Sequence, residues 1–261
     1  MTNEINKVNV LWTGGYDSSF RMVQLLKKDV TVQPYYLSDN RKSEQNELNA
    51  IVEITDDINK NEGTRCEILP LKIYNVSDVK EDEKITEAYS NLRKYLPLGS
   101  QYDWLPRFAK EHNIKGLELG LEKAETSVAY NCIQKYGDVK FIDHDEVAYY
   151  IINQEKSTAD LIKIFGSFHF PDPLFTITKQ EMLKEYKKLG FETTVSKTWF
   201  CFNPINNKPC GLCNPCKSTI EEGMEFRFPK SSLRRYKLRF FYKSLSRLKN
   251  GLARRLKNNN S

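Results

Sequence analysis

Apolar residues in the first half of the chain fall in short runs separated by longer stretches of helical spacing, the order that builds a parallel α/β sheet. Val8 to Trp12 reads as a strand, Ser18 to Lys28 as a helix and Thr31 to Leu37 as a second strand, followed by a helix over Glu44 to Asn61 carrying Leu48, Ile51, Val52 and Ile58. Each crossover is long enough for parallel pairing. Cys66 to Ile73 is a third strand, Trp104 to Asn113 part of a helix, Gly116 to Leu121 a fourth strand and Val139 to Ile142 a fifth. The pattern does not contain the strand order. From Thr158 it turns helical, with a break at Pro171-Asp172-Pro173 before a helix over Thr178 to Leu189 in which Met182, Leu183, Tyr186 and Leu189 recur. The last segment places Leu233, Phe240, Phe241, Leu245, Leu248, Leu252 and Leu256 roughly on one face, with basic residues on the others. These divisions predict an α/β domain over 1–157, a helical lobe over 158–224 and a basic amphipathic tail over 225–261.

Composition changes this picture at two points. At 261 residues the chain is long enough for a sizeable core. Its net charge of +6 conceals an asymmetry: of 40 basic and 34 acidic residues, twelve and one lie between Glu225 and Lys257, so that segment is +11 and the remainder −5. The start, Met1 to Lys7, is polar and lacks the basic start and apolar stretch of a secretory signal, and no run of about eighteen apolar residues follows, which predicts a reducing cytoplasmic setting. Six cysteines in that setting read as thiols or metal ligands rather than a disulfide framework.

The strongest catalytic signal is Trp12-Thr13-Gly14-Gly15-Tyr16-Asp17-Ser18-Ser19, placed between a strand and a helix. A strand-to-helix turn exposes unpaired backbone N–H groups at the positive end of a helix dipole, and two glycines let that backbone curl around phosphate oxygens. Asp17 is placed to hold Mg²⁺ bound to a polyphosphate, and Thr13, Ser18 and Ser19 offer hydroxyl donors. The competing reading is a tight turn with Asp17 or Ser18 capping the helix. The segment is neither the Gly-Lys-Ser/Thr phosphate loop nor the dinucleotide glycine fingerprint.

Cys201, Cys210, Cys213 and Cys216 have the spacing C-x8-C-x2-C-x2-C, with Gly211 and Pro215 supplying tight turns. Four thiolates suit tetrahedral Zn²⁺ with no open position, hence a structural metal; an iron–sulfur cluster or two disulfides would use the same residues. Cys66 and Cys132 lie in apolar stretches where cysteine behaves as a small hydrophobe. His112, His144 and His169 have no metal or triad spacing.

Together, the loop and the cysteine spacing resemble the 7-cyano-7-deazaguanine synthase (QueC-like) family of PP-loop ATP pyrophosphatases, whose loop reads Ser-Gly-Gly-x-Asp-Ser and is matched here with Thr13 in first place. The likeness extends to Ser38-Asp39-Asn40-Arg41 with Glu47-Leu48, and to Pro173-Leu174 with Thr178-Lys179-Gln180-Glu181, covering about residues 8 to 222. It implies a PP-loop (adenine nucleotide alpha hydrolase-like) α/β domain that binds ATP through residues 13–19, with a zinc-stapled helical lobe and the basic amphipathic helical tail. It also implies that ATP adenylates the carboxylate of 7-carboxy-7-deazaguanine or a related acid, that ammonia forms the amide, and that a second ATP drives dehydration to the nitrile. Gly14, Gly15, Asp17 and Ser18 would bind pyrophosphate and Mg²⁺, and Lys179 is a second phosphate contact; a solvated helix-start lysine is the plainer reading of Lys179.

One segment departs from the family. Where a substrate-reading Tyr-Pro-Asp-Cys-Arg-like stretch is expected, this chain reads Leu119-Gly120-Leu121-Glu122-Lys123-Ala124-Glu125-Thr126. Glu122 and Glu125 either face the pocket or are exposed helix-start glutamates. The tail is compatible with a membrane surface, nucleic acid, a partner protein or second protomer, or packing on the body. Three further functions stay open: trapping of the adenylate by an amine on a macromolecule, tRNA modification with the same loop, and a nucleotide-dependent binding module without catalysis.

Overall fold

In the computed structural model, residues 7–144 and 147–240 are described. The chain divides after Trp199 into two compact units. The first alternates strands and helices: β1 (Lys7–Leu11), α1 (Tyr16–Leu25), β2 (Thr31–Ser38), α2 (Glu44–Asn59), β3 (Glu67–Ile68), β4 (Lys72–Asn75), α3 (Glu83–Arg93), α4 (Gln101–Glu111), β5 (Leu117–Glu118), α5 (Val128–Tyr136), β6 (Val139–His144), β7 (Val147–Ile152), α6 (Ala159–Phe165), β8 (Phe168–Pro171), α7 (Lys179–Lys188) and α8 (Thr194–Lys197). The second holds α9 (Asn214–Glu221) and α10 (Lys230–Lys237).

The strands form one sheet in the order β3-β2-β1-β5-β8-β7-β6, with β4 also on β2. From β3 to β8 the pairs are parallel, because each crossover carries a helix. The stretch expected as one third strand is two short pieces: β3 pairs with the start of β2 and β4 with its end. The fifth strand is antiparallel, not parallel, since β6 and β7 form a hairpin and β7 runs against β8.

Two expectations need correction. The stretch after Thr158 is not helical throughout, because β8 sits in the sheet between β5 and β7. The helical lobe therefore does not begin at 158: residues 158–199 belong to the first unit. Helix α3 was not anticipated, although Ile85, Ala88, Tyr89 and Leu92 bury one face at helical spacing and the Asp82 side chain caps its start through the amides of Lys84 and Ile85. Its face joins a core with Tyr35, Leu37, Phe108, Leu117, Phe165 and Phe168. Among the described residues no helix is long and apolar enough to cross a membrane. The tail's expected apolar positions Phe241, Leu245, Leu248, Leu252 and Leu256 lie outside the described residues.

Candidate active site and cysteine centre

In the sheet order, β1 has β2 on one side and β5 on the other, so the loops leaving β1 and β5 diverge and open a crevice at the strands' carboxyl ends. A cavity of about 180 Å³ lies there. Thr13, Gly15, Tyr16, Asp17 and Ser18 line it from the first loop, and Leu119, Gly120 and Leu121 from the second. Gln101, Tyr102 and Leu105 of α4 complete it, a contribution with no sequence motif to announce it.

The loop's geometry excludes a helix capped by Asp17 or Ser18. Gly15 occupies the N-cap position of α1, and no side chain caps the helix. The first turn of α1 thus presents backbone rather than a capping side chain to the cavity. Gly14 is at φ 65°, and a Cβ there would lie 2.5 Å from the Glu47 carbonyl oxygen, so both backbone sign and space demand glycine. The Gly14 carbonyl is held by the Trp199 N–H at 2.8 Å. Gly120 approaches α1 so closely that a Cβ would lie 3.2 Å from the Ser18 nitrogen.

The hydroxyls divide by role. Ser18 Oγ accepts from the Thr13 N–H at 3.3 Å and lies 3.3 Å from Thr13 Oγ1, at the cavity wall. Ser19, expected among the phosphate contacts, is fully buried with its Oγ accepting the Trp12 indole N–H at 3.0 Å. Its side chain shapes the loop from behind. Tyr16 donates its hydroxyl to the Lys179 carbonyl at 3.1 Å, and Tyr186 donates to the Tyr16 carbonyl at 3.0 Å. These bonds bring the start of α7 to the start of α1.

Lys179 is thereby placed beside the loop, at the first position of a helix closed by a Thr178–Glu181 capping box. It is not a solvated helix-start lysine: its side chain is 15% exposed and its ammonium lies 2.5 Å from Glu122 Oε1. Glu122 likewise is not an exposed helix-start residue, being buried in the segment between β5 and α5. The departure from the family pattern thus supplies a buried carboxylate that holds the candidate phosphate lysine.

Two further ion pairs frame the site. Arg21 of α1 and Glu118 of β5 form a buried bidentate pair with both contacts at 2.7 Å. Glu47 accepts from Arg41, from Tyr36 at 2.9 Å and from Ser43 at 2.7 Å, fixing α2, whose Glu47 carbonyl walls Gly14. Burial, with the Glu47 carboxylate next, raises the Tyr36 hydroxyl far above its ordinary range, so it stays a donor. His169 stacks on Tyr149 with ring centroids 3.8 Å apart. Burial, helped by Arg21, lowers its pKa to about 4, so it is neutral.

In the second unit the sulfurs of Cys201, Cys210, Cys213 and Cys216 lie within 4.8 Å of one another. Three of their separations are 3.4, 3.8 and 3.9 Å. Zn–S bonds of about 2.3 Å in a tetrahedron require S···S of about 3.8 Å, so the donor set fits Zn²⁺. The Cys210 N–H points to Cys201 Sγ at 3.1 Å, and those of Leu212 and Cys213 point to Cys210 Sγ at 3.3 Å, which stabilises thiolate charge. Hydrogen bonding with Cys201 and Cys216 pulls the Cys213 thiol down, while the bond to Cys213 pushes Cys201 up. No disulfide joins any of the six cysteines. Cys66 and Cys132 are buried, and burial raises Cys132 to about 11, which keeps it an unreactive thiol.

With both sites described, comparison with known proteins assigns the family. The model of the family described as "Queuosine biosynthesis protein QueC" matches residues 7–223. The chain belongs to the QueC family. A relative named 7-cyano-7-deazaguanine synthase 1, from Desulfitobacterium hafniense (strain Y51), is 23% identical over 220 residues, covering 81% of this chain and 88% of that protein. A solved 4-thiouridine synthetase–RNA complex with bound ATP aligns over 90% of this chain with a TM-score of 0.36 and 13% identity; the chain spans 53% of its length. The match of this QueC member ends before α10 begins.

Proposed function

We propose that this QueC-family chain is an ATP-dependent carbon–nitrogen ligase of the 7-cyano-7-deazaguanine synthase type, acting on 7-carboxy-7-deazaguanine or a closely related acid. The observation that carries this reading is the uncapped start of α1 opening on the crevice between β1 and β5. Such a site takes a polyphosphate, and family membership supplies the acid. A substrate carboxylate oxygen attacks the α-phosphorus of ATP and pyrophosphate leaves; an amine nitrogen then attacks the acyl carbon, AMP leaves and the amide forms. The amide oxygen then attacks the α-phosphorus of a second ATP and displaces pyrophosphate; AMP leaves with that oxygen, the two amide N–H protons are released, and the nitrile forms. This chemistry needs positioning and neutralisation of charge more than proton transfer.

On this reading Thr13, Gly14, Gly15, Tyr16, Asp17 and Ser18 hold the phosphates, with Asp17 the ligand for their Mg²⁺, and Lys179 neutralises the departing pyrophosphate. Zn²⁺ in the four-cysteine site is structural. Gln101, Leu119 and Leu121 face the cavity beyond the phosphate end and contact the acid or the adenosine.

The test is ATP turnover by the full chain with 7-carboxy-7-deazaguanine and ammonia, scored by mass spectrometry, with Asp17→Ala as control. AMP together with a product lighter than the acid, at the mass of the amide or nitrile, is expected. ADP plus phosphate, or AMP formation that survives Asp17→Ala, refutes the assignment. The added segment after residue 223 favours one second reading, in which a macromolecular amine replaces ammonia; AMP without a small-molecule amide points to it.

A further inference from the structure

The first described part of the segment beyond the family match is built onto the cysteine site. One side of α10 faces the lobe. Ser232 is fully buried and donates its hydroxyl to the Pro209 carbonyl. Arg235 donates through Nε to the Cys210 carbonyl at 2.8 Å, and through Nη2 to the Pro209 carbonyl at 3.3 Å and Ser232 Oγ at 3.0 Å. Gly211, between two ligand cysteines, is at φ 76°, and a Cβ on it would collide with the Ser232 carbonyl. The helix is fastened across the turn that carries Cys210 and Cys213.

The other side presents Lys230, Arg234 and Lys237, one helical stripe at i, i+4 and i+7, all exposed. Helix α10 contains no acid to neutralise them. Two exposed rings precede and follow the helix in the chain, Phe226 at 63% and Phe240 at 68%. Arg239 already stacks its guanidinium 4.1 Å from the Tyr236 ring centroid and 4.7 Å from that of Phe240. With the segment from 225 to 257 at +11 and the rest of the chain at −5, a polyanion is drawn to this side of the sequence alone.

We propose that α10, fastened to the four-cysteine turn, is a docking helix for the phosphate backbone of a nucleic acid. Cations at successive turns neutralise phosphates, and exposed aromatic rings beside them stack on unpaired bases. A helix lying in a lipid surface turns a wide apolar face outward. Here the outward face is cationic, and the opposite one is spent on the lobe. The docking is backbone-directed, since charge repeated at successive turns matches the spacing of phosphates rather than a base edge.

The experiment is fluorescence anisotropy of the full chain with a labelled 20-nucleotide single-stranded RNA, with a 20-base-pair DNA duplex and with anionic phosphatidylserine vesicles, each across a salt series. The comparison variant is Lys230→Ser/Arg234→Ser/Lys237→Ser, whose metal content and melting temperature are measured alongside because its changes are confined to exposed positions. Expected are binding to RNA or duplex that weakens linearly in log salt, and at least a tenfold loss in the triple variant with a salt slope smaller, for three lost phosphate contacts, by about two on the single strand or nearly three on the duplex. Tighter binding of RNA than of duplex marks an unpaired strand as the ligand and the reverse marks a duplex; either fits the assignment. Equal affinity of the two proteins, no binding to either nucleic acid at low salt, or binding confined to vesicles overturns it.

Discussion

The crevice at the β1–α1 loop and the four-cysteine centre are built in opposite ways. The cysteine centre draws its four donors from sixteen consecutive residues, and its geometry is set by local N–H···S turns. The crevice gathers residues 13–18, 101–105 and 119–121, with Lys179 and Glu122 beside them, from four separated stretches. A local centre stands on its ligands; an assembled one stands on everything that holds its walls apart. This difference sorts the expected effects of mutation.

The largest effect falls on the local centre. Cys213→Ser should reduce bound zinc from one ion per chain to nearly none and expose residues 201–237 to protease, since structural zinc contributes roughly 10 kcal/mol or more to folding such a lobe. Metal analysis and proteolytic mapping would check this, and an iron chromophore in the wild type would replace zinc in the account. In the crevice, Gly14→Ala forces a left-handed φ and a contact with the Glu47 carbonyl. AMP formation should fall on the order of a hundredfold with a stability loss of about 2–3 kcal/mol, and unchanged turnover would mean that the loop does not hold phosphate.

Glu122→Gln tests the assembled wall directly. It strips the partner from a lysine whose side chain is 15% exposed, so a loss of about 2 kcal/mol by denaturant melting is expected. AMP formation that drops less than threefold would show that the pair is architectural. The pH dependence follows from His169, which the fold holds neutral by lowering its pKa from 6.5 to about 4. The unfolded chain takes up a proton below 6.5 and the folded chain does not, so this contribution is complete above pH 6.5 and fades as pH falls toward 4. An acid-side loss on the order of 1–2 kcal/mol should vanish in His169→Phe. Smallest is Arg235→Ala, which removes the bonds to Cys210 and Pro209 and should cost about 1 kcal/mol, read as faster zinc release to a chelator.

Much of this contrast was legible before the fold was seen. The loop of residues 12–19 and the cysteine spacing are recognisable because their chemistry depends on neighbours in the chain. The pattern does not announce α3, despite the Asp82 cap and buried Ile85, Ala88, Tyr89 and Leu92, or the pairing of β6 with β7, and β8 lies in a stretch whose spacing predicts helix. Short apolar runs carry too few residues to separate a period of two from one of 3.6.

By itself the sequence determined the parallel α/β class, the glycine turn at Gly14 and Gly15 between β1 and α1, the four-thiol cluster and the separation of charge between body and tail, because each rests on local backbone geometry, side-chain identity or simple counting. Only the tertiary structure decided that β8 lies between β5 and β7, that Gln101 and Tyr102 line the crevice, that Glu122 holds Lys179 and that Arg235 fastens α10 across Cys210. Those are contacts between residues far apart in the chain, or separated by a turn of undetermined path. Their partners are chosen by how buried faces pack and how buried charges find compensation, which no single segment encodes.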